Sequence, residues 1–224
     1  ITPEKLDRAA ALIARGVQLT VITDDAEAAA HIARHPAPVR VLIEIDSGEG
    51  RGGVKSTSNA LLSIGRALGC KLAGVLTHAG HSYAGATVSD MQGIAEQERA
   101  ATVEAAQRLR AAGLSCAVVS VGSTPTASHA QRLDGVTEVR AGVYMFNDLF
   151  QAEVHSCERR DIALTVLASV IGRRPDENRI LLDAGALALS KDRSTQSTTH
   201  DAGYGIVWDL AAPPAYGECR VARA

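Results

Sequence analysis

The chain has 224 residues, of which 46% are hydrophobic and 21% charged, a balance typical of one large globular domain or of one domain plus part of a second. The formal net charge of -2 provides no basic field for nucleic acid or an anionic membrane, and no apolar run approaches the length of a bilayer span. We therefore expect neither a nucleic-acid partner nor a membrane partner. The four cysteines lack a CxxC pair, which indicates reduced thiols in a cytoplasmic protein, with a disulfide framework or a zinc site as the alternative.

The N-terminal segment carries the signals of a helix start. Thr2 is suited to cap a helix and Pro3 to occupy its first position, and LDRAAALIARG then predicts an amphipathic helix that ends at Gly16. Ile1 is therefore expected to end a strand, and it is not an initiating Met. We expect the sequence to open in the middle of a fold.

Five apolar, strand-like runs follow, with helical segments between them. The runs lie at residues 19–24, 41–46, 74–80, 117–123 and 138–146. Helices are predicted around residues 26–34, at SNALLSIGRAL, at 90–112 and at 127–133. This alternation predicts an α/β fold in which helices cover a parallel sheet.

The pattern changes after Asn147. ALTVLASVIGRR and RILLDAGALAL are strand-like, only Pro175 and a polar turn separate them, and YGIVWDL adds a third run. Consecutive strands on short connections predict an antiparallel or mixed β domain. We place the boundary near Cys157, which gives domains at residues 1–156 and 157–224.

Each of the first five runs ends in unusual residues. In chain order these are Asp24, then Asp46 with Arg51, then Thr77, His78 and Tyr83, then residues 123–126, and finally residues 140–144. In barrels and open parallel sheets the carboxyl ends of the strands form the edge where ligands bind. Five such ends in succession favour a site.

The sequence GSTPT at residues 122–126 has the groups that hold a phosphate. Glycine lets the backbone approach an anion, three hydroxyls can donate, and Pro125 suits the start of a helix. The alternative is a hydroxyl-capped helix without a ligand. Gly142 in AGVY, after the next strand, can expose further N–H groups, and a phosphate site shared by the last two strands is common in eight-stranded barrels.

Two other loops have less specific chemistry. In GEGRGG, four glycines surround Arg51 without the spacing of a dinucleotide fingerprint, so a flexible loop with a solvated arginine is the alternative. THAGHSY places two histidines and Tyr83 close together, which suits a planar ligand better than a metal, and unspecialised loop residues are the alternative.

Several motifs together resemble one group of pyridoxal-phosphate enzymes, the D-threonine aldolases, eukaryotic-type D-serine dehydratases and D-threo-3-hydroxyaspartate dehydratases. The motifs are IEIDSGEGRGGV, GVLTHAGHSY, VVSVGSTPT, GVTEVRAGVYMFNDL and LLDAGALALSKDR. The resemblance implies the fold of alanine racemase, a TIM-type (β/α)8 barrel followed by a β domain. The chain would then contain the last five barrel strands and the start of the β-rich C-terminal domain. VVSVGSTPT and TEVRAGVY are most similar to the dehydratase branch.

The resemblance also implies roles for individual residues. The cofactor phosphate would be held by residues from two strand ends, Gly122, Ser123, Thr124 and Thr126 with Gly142, Val143 and Tyr144. Arg51 would reach the polar edge of the pyridoxal 5'-phosphate ring, and Arg140 would approach the ring nitrogen. His78 and Tyr83 would lie near the ring and the substrate.

Two groups of the family are expected outside this sequence. The cofactor of these enzymes is a Schiff base on a lysine of the first barrel strand, and Lys5, Lys55, Lys71 and Lys191 do not fit that position. A His with a Cys or Asp that binds a divalent metal (Zn, Mg or Mn) is also expected beyond the C-terminal residue. We therefore expect a middle segment that lacks three barrel strands and most of the β domain.

The function that the resemblance implies is a lyase, within a homodimer, that acts on D-configured 3-hydroxy amino acids. Dehydration of D-serine or D-threo-3-hydroxyaspartate to an oxo acid and ammonia is our interpretation. Aldolase-type cleavage of the Cα–Cβ bond and racemisation are alternatives, and so is a non-catalytic carrier of pyridoxal phosphate.

Overall fold

The computed structural model describes residues 1–208 and 219–224. It divides into two compact units, Ile1–Gly142 and Val143–Ala224. Among the described residues, no helix combines the length and the apolar character that crossing a lipid bilayer requires.

The first unit is a five-stranded parallel sheet with helices between successive strands. Its strands are β1 (Thr20–Thr23), β2 (Arg40–Glu44), β3 (Leu72–Leu76), β4 (Val118–Val121) and β5 (Glu138–Val139), in the sheet order β1-β2-β3-β4-β5. Its helices are α1 (Pro3–Ala14), α2 (Ala26–Arg34), α3 (Asn59–Leu68), α4 (Val88–Ala111) and α5 (Thr124–His129). The predicted α/β fold with a parallel sheet is confirmed. Within the described residues β1 and β5 do not pair with each other, so closure into a barrel stays a prediction.

Polar side chains cap the N-terminal ends of the helices α1 and α2. Thr2 accepts the backbone N–H of Lys5 at 3.4 Å and Pro3 opens α1, as expected. Asp25 caps α2 by accepting the N–H of Ala28 at 2.7 Å. Such caps satisfy N–H groups that have no partner within the helix.

The core of the first unit lies between the sheet and its helices. The strands contribute fully buried Ile43, Val75 and Val119, and α4 contributes Leu109. Each large aliphatic side chain removed from water stabilises the fold by roughly 1.5–3 kcal/mol. In α3, Gly65 allows close helix packing, because a Cβ there would lie 2.8 Å from Leu109 Cδ2.

Two elements of the first unit differ from prediction. The helix expected at residues 127–133 is α5, which begins at Thr124 because Ser123 caps it. The strand expected at residues 138–146 is only two residues long. Arg140 still donates its N–H to Val121 O at 2.8 Å, after which the chain leaves the sheet and Val143–Met145 forms a 3-10 turn.

The second unit contains α6 (Leu149–Glu153), an antiparallel hairpin of β6 (Val170–Arg174) and β7 (Arg179–Leu182), and α7 (Ala186–Leu189). The hairpin confirms consecutive antiparallel strands, with left-handed Asn178 in its turn. The expected strands were too long, because residues 163–169 are not strand and the ALAL at the end of the second run is helical. Of the third run, only isolated bridges at Gly203 and Ile206 are described, and residues 209–210 lie outside the described residues.

Candidate functional site

The parallel strands of the first unit bring their carboxyl ends to one edge of the sheet, where the predicted polar residues follow. The loops after β2, β3 and β4 contact one another there through hydrogen bonds of Thr77 and His78. Thr77 Oγ1 donates to Ile45 O at 2.6 Å and lies 2.9 Å from Ser47 Oγ. Nδ1 of His78 lies 3.0 Å from Gly122 O. The ends of β2, β3 and β4 therefore lie together at this edge of the sheet.

The glycine-rich loop after β2 is held by carboxylates. Asp46 Oδ1 accepts the N–H groups of Gly48 at 2.9 Å and Gly50 at 3.1 Å, and Asp46 Oδ2 lies 2.6 Å from Lys55 Nζ. The hydrogen bond with Lys55 is the main reason that the pKa of Asp46 lies below its ordinary value. Gly53 donates to Asp24 Oδ2 at 2.8 Å, which joins this loop to the end of β1. The loop is thus fixed at both ends.

Arg51 lies at the exposed rim of this loop. Its Nη1 is 3.5 Å from Glu49 Oε1, and 65% of its side chain is exposed. Glu49 Oε2 in turn accepts the N–H of Gly80 at 3.3 Å, from the loop after β3. Glu49 therefore links Arg51 to the His78 loop, although the contact of Arg51 with a cofactor ring stays a prediction.

The loop after β3 presents an oriented imidazole. A backbone carbonyl can only accept, so Nδ1 of His78 donates to Gly122 O, and Nε2 is left as the acceptor of the neutral ring. The Tyr83 ring lies near it, with the ring centroids 6.3 Å apart. His81 differs, because both its ring nitrogens are buried with no hydrogen-bond partner among the described residues.

The hydroxyls of GSTPT have two distinct environments. Ser123 Oγ accepts the N–H of Thr126 at 3.3 Å, and Thr126 Oγ1 accepts the N–H of Ser123 at 3.1 Å, a reciprocal cap of α5. Ser123 Oγ also lies 2.9 Å from Ser82 Oγ. By contrast, Thr124 Oγ1 is buried and has no hydrogen-bond partner among the described residues. Helix capping therefore accounts for Ser123 and Thr126, whereas the buried Thr124 hydroxyl takes no part in the cap.

Gly122 brings the ends of β4 and β5 together. Its φ is +135°, and a Cβ there would lie 2.4 Å from Arg140 O. Its N–H donates to Glu98 Oε1 at 2.9 Å, so this N–H is already satisfied by the protein.

Arg140 extends from the end of β5 across the neighbouring strand ends. Its Nη2 donates to Thr77 O at 2.7 Å, and its Nη1 donates to buried Ser120 Oγ, which itself donates to Glu138. Burial lowers the pKa of Arg140, and Glu138 and Glu98 oppose that shift. The guanidinium is therefore a fixed cation at the centre of the edge.

The remaining predicted phosphate residues follow β5. Gly142, Val143 and Tyr144 are all exposed. Gly142 is the last residue of the first unit, and Val143 is the first residue of the second. Their contribution to a phosphate site stays a prediction.

Sequence reasoning missed Glu98, on the helix α4. Its carboxylate is buried and accepts N–H groups from the loops after β3 and β4. The signal was present, because Glu98 shares a helix face with Met91, Ala95, Thr102 and Ala105. In the part of the chain that the structure describes, no group of three or more His, Cys, Asp or Glu side chains is arranged to hold a metal.

Comparison with known proteins shows the family of the chain. Residues 2–149 match the profile of the alanine racemase N-terminal domain, and residues 163–222 match that of a putative serine dehydratase domain. The chain belongs to the alanine racemase N-terminal domain family. The family resemblance predicted from the motifs is confirmed.

The chain is also similar to curated proteins and to solved structures. It is 50% identical to D-threo-3-hydroxyaspartate dehydratase of Delftia sp. (strain HT23) over 94% of this chain and 57% of that protein. It is 38% identical to D-serine dehydratase of Dictyostelium discoideum over 53% of this chain and 31% of that protein. The solved Delftia sp. HT23 structure superposes with a TM-score of 0.93 at 46% identity, and covers 100% of this chain and 62% of that one. The chain thus spans less than two thirds of the length of each of these relatives.

Proposed function

We propose that the protein containing this chain is a pyridoxal 5'-phosphate-dependent lyase that dehydrates D-configured 3-hydroxy amino acids to an oxo acid and ammonia. The observation that carries the proposal is the 50% identity with a D-threo-3-hydroxyaspartate dehydratase over 94% of the chain. D-serine is a second candidate substrate, supported by the match to D-serine dehydratases.

The residues of the first unit fit the cofactor. Thr124 Oγ1 is a buried hydroxyl without a protein partner, as expected for a group that donates to a phosphate oxygen. Ser123 and Thr126 would act by fixing the loop around it, because their hydroxyls cap α5. Arg140 and Arg51 would supply positive charge toward the polar parts of the ring. Gly142, Val143 and Tyr144 remain proposed phosphate residues.

Pyridoxal phosphate, when bound, supplies the electron sink that stabilises charge at the α-carbon after a bond there is broken. Within this chain, His78 would offer Nε2 as a proton acceptor beside Tyr83, because Nδ1 is committed to Gly122 O. Arg140 would keep its orientation through Thr77 O. Both side chains are thus positioned before a ligand arrives, which lowers the cost of ordering them on binding.

A divalent metal (Zn, Mg or Mn) would bind outside these residues. A mutant of a D-threo-3-hydroxyaspartate dehydratase has been solved in a metal-free form, which supports a metal in close relatives. The proposal also includes the last five strands of a (β/α)8 barrel at residues 1–156, the start of a β-rich domain from 157 onward, a homodimer and a cytoplasmic location. The two family profiles, which end at 149 and begin at 163, support that division.

Aldolase-type cleavage is the second candidate function. The chain is 31% identical to 3-hydroxy-D-aspartate aldolase of Paracoccus denitrificans (strain Pd 1222) over 85% of this chain and 52% of that protein. Both reactions use a D-configured hydroxy amino acid and differ in the bond that breaks.

The cofactor part of the proposal is tested with the full-length protein by absorbance spectroscopy. We expect a Schiff-base band that borohydride abolishes and that pyridoxal phosphate restores after removal of the cofactor. Colourless protein that cannot be reconstituted would contradict the proposal. For the metal, we expect a chelator to abolish activity and a divalent metal to restore it. Activity that the chelator does not change would contradict a role for a metal in the reaction.

A further inference from the structure

Glu98 is a buried carboxylate at the centre of α4. Only 2% of the residue is exposed, and its helix face is otherwise apolar or uncharged, with Met91 and Ala95 in the turns before it. Burial raises the pKa of Glu98 above its ordinary value, against the effect of its hydrogen bonds. An apolar side chain would fill this position without the cost of desolvating a carboxylate. The presence of a glutamate here is therefore explained by the groups that its carboxylate contacts.

The Glu98 carboxylate joins two loops of the sheet edge. Oε1 accepts the N–H of Ala79 at 3.1 Å, in the loop after β3, and the N–H of Gly122 at 2.9 Å, at the end of β4. The Thr126 hydroxyl also hydrogen-bonds to the carboxylate. One side chain therefore satisfies donors from both segments, and α4 is the helix that connects their strands.

The groups fixed by Glu98 adjoin those that would face the ligand. Ala79 follows His78, and the carbonyl of Gly122 accepts from His78 Nδ1. Thr124, whose hydroxyl has no protein partner, is two residues beyond Gly122. The distance between the imidazole and the hydroxyl thus depends on backbone groups that share one carboxylate.

We propose that Glu98 is a positioning residue that holds the Gly122–Thr126 segment against the His78 loop, so that the Thr124 hydroxyl and the His78 ring meet the same bound cofactor. This inference rests on the proposed function, because the ligand is pyridoxal phosphate. Glu98 itself does not contact the ligand, and its effect is transmitted through Ala79 and Gly122.

The test measures dissociation constants of pyridoxal phosphate and of pyridoxal, which lacks the phosphate, on the full-length protein and its variants. Glu98→Ala should weaken pyridoxal phosphate binding about tenfold or more, the size expected for losing a hydrogen bond to a charged group. Pyridoxal binding should change much less. Glu98→Gln keeps an acceptor and should restore most of the affinity. The matched control is Glu104→Ala, on the same helix, which removes a contact of 2.6 Å with Ser56 Oγ, away from these two loops.

Hydrogen exchange at the amides of Ala79 and Gly122 is the second measurement, and both should lose protection in Glu98→Ala. Should that variant fail to fold, Glu98→Asp, whose shorter side chain cannot span both donors, replaces it with the same expectations. The inference would be overturned if the Glu98 variant bound pyridoxal phosphate as tightly as the parent protein. It would also be overturned if the variant lost as much affinity for pyridoxal as for pyridoxal phosphate, or if Glu104→Ala lost as much affinity as the Glu98 variant. These outcomes would leave the proposed function standing. A parent protein that binds no pyridoxal phosphate would overturn the proposed function.

Discussion

His78 and Gly122 are joined by a hydrogen bond of 3.0 Å between the imidazole Nδ1 and the backbone carbonyl. Gly122 has a φ of +135°, and an added Cβ would lie 2.4 Å from the carbonyl oxygen of Arg140. The glycine is therefore required where the ends of three neighbouring strands meet.

Substitution Gly122→Ala is expected to destabilise the protein by at least about 2 kcal/mol, because the residue combines a glycine-only backbone conformation with a backbone clash. Urea unfolding measures the effect. Gly93→Ala is the control, since Gly93 lies in α4 with nothing within 4 Å of its added Cβ, and should gain about 0.5–1 kcal/mol. Equal stability of Gly122→Ala and the parent would show that the edge is not closely packed.

The two kinds of hydroxyl in GSTPT should respond differently to removal. Thr124→Val removes a hydroxyl that has no protein partner, so the free energy of unfolding without cofactor should not fall. Cofactor affinity should fall by roughly 1.5–3 kcal/mol, the value of a hydrogen bond to a charged group.

Ser123→Ala is the matched comparison for Thr124→Val. Loss of the α5 cap should reduce the free energy of unfolding by about 1–2 kcal/mol even without cofactor. Thermal unfolding with and without pyridoxal phosphate separates the two effects. Identical behaviour of the two variants would make GSTPT a helix cap only.

Glu98 predicts a pH dependence of stability. Because its pKa is raised in the folded protein, its contribution is fully present below the ordinary value of 4.5 and is lost as pH rises through the folded pKa. The His78 ring and the Arg140 guanidinium are the groups that interact electrostatically with it. Relative to Glu98→Gln, the parent should lose stability over this window. A difference that does not vary with pH would contradict the raised pKa.

Glu96 predicts the opposite dependence. Hydrogen bonds from Arg99 and Arg132 lower its pKa, so its contribution is present above the ordinary value of 4.5 and is lost as pH falls through the folded pKa. Glu96→Gln should be less stable than the parent at neutral pH, with the difference reduced by salt because the group is exposed. Denaturant midpoints that match at neutral pH and low salt would show that these two ion pairs have no net effect on stability.

The sequence predicted the fold where periodicity and capping residues act locally. The first helix could be predicted from Thr2 and Pro3. The alternation of apolar runs with helical segments was sufficient to predict the parallel sheet and the edge at which its polar residues lie. The helix α5 begins at Thr124, three residues before the predicted range of 127–133, because the Ser123 hydroxyl caps it. Pro125, which the sequence indicated as suited to a helix start, lies in its first turn. In the second unit, the apolar run after β7 does not distinguish strand from helix by periodicity, and α7 was missed.

The roles of individual polar atoms required the structure. Ser123, Thr124 and Thr126 are equivalent as hydroxyls in the sequence, and only the direction of each side chain separates the capping pair from the hydroxyl without a partner. Glu98 is one of several acids in α4, and its importance depends on the donors from Ala79 and Gly122, which are distant in sequence.

The most direct test of the central claim is product analysis after incubation of the full-length protein with D-threo-3-hydroxyaspartate and added pyridoxal phosphate. Dehydration should yield equal amounts of oxaloacetate, measured by NMR, and ammonia, measured by an ammonia assay. D-serine and D-threonine in parallel reactions report the preferred side chain. Glycine with glyoxylate as the main products would instead establish carbon–carbon cleavage and contradict the dehydratase assignment.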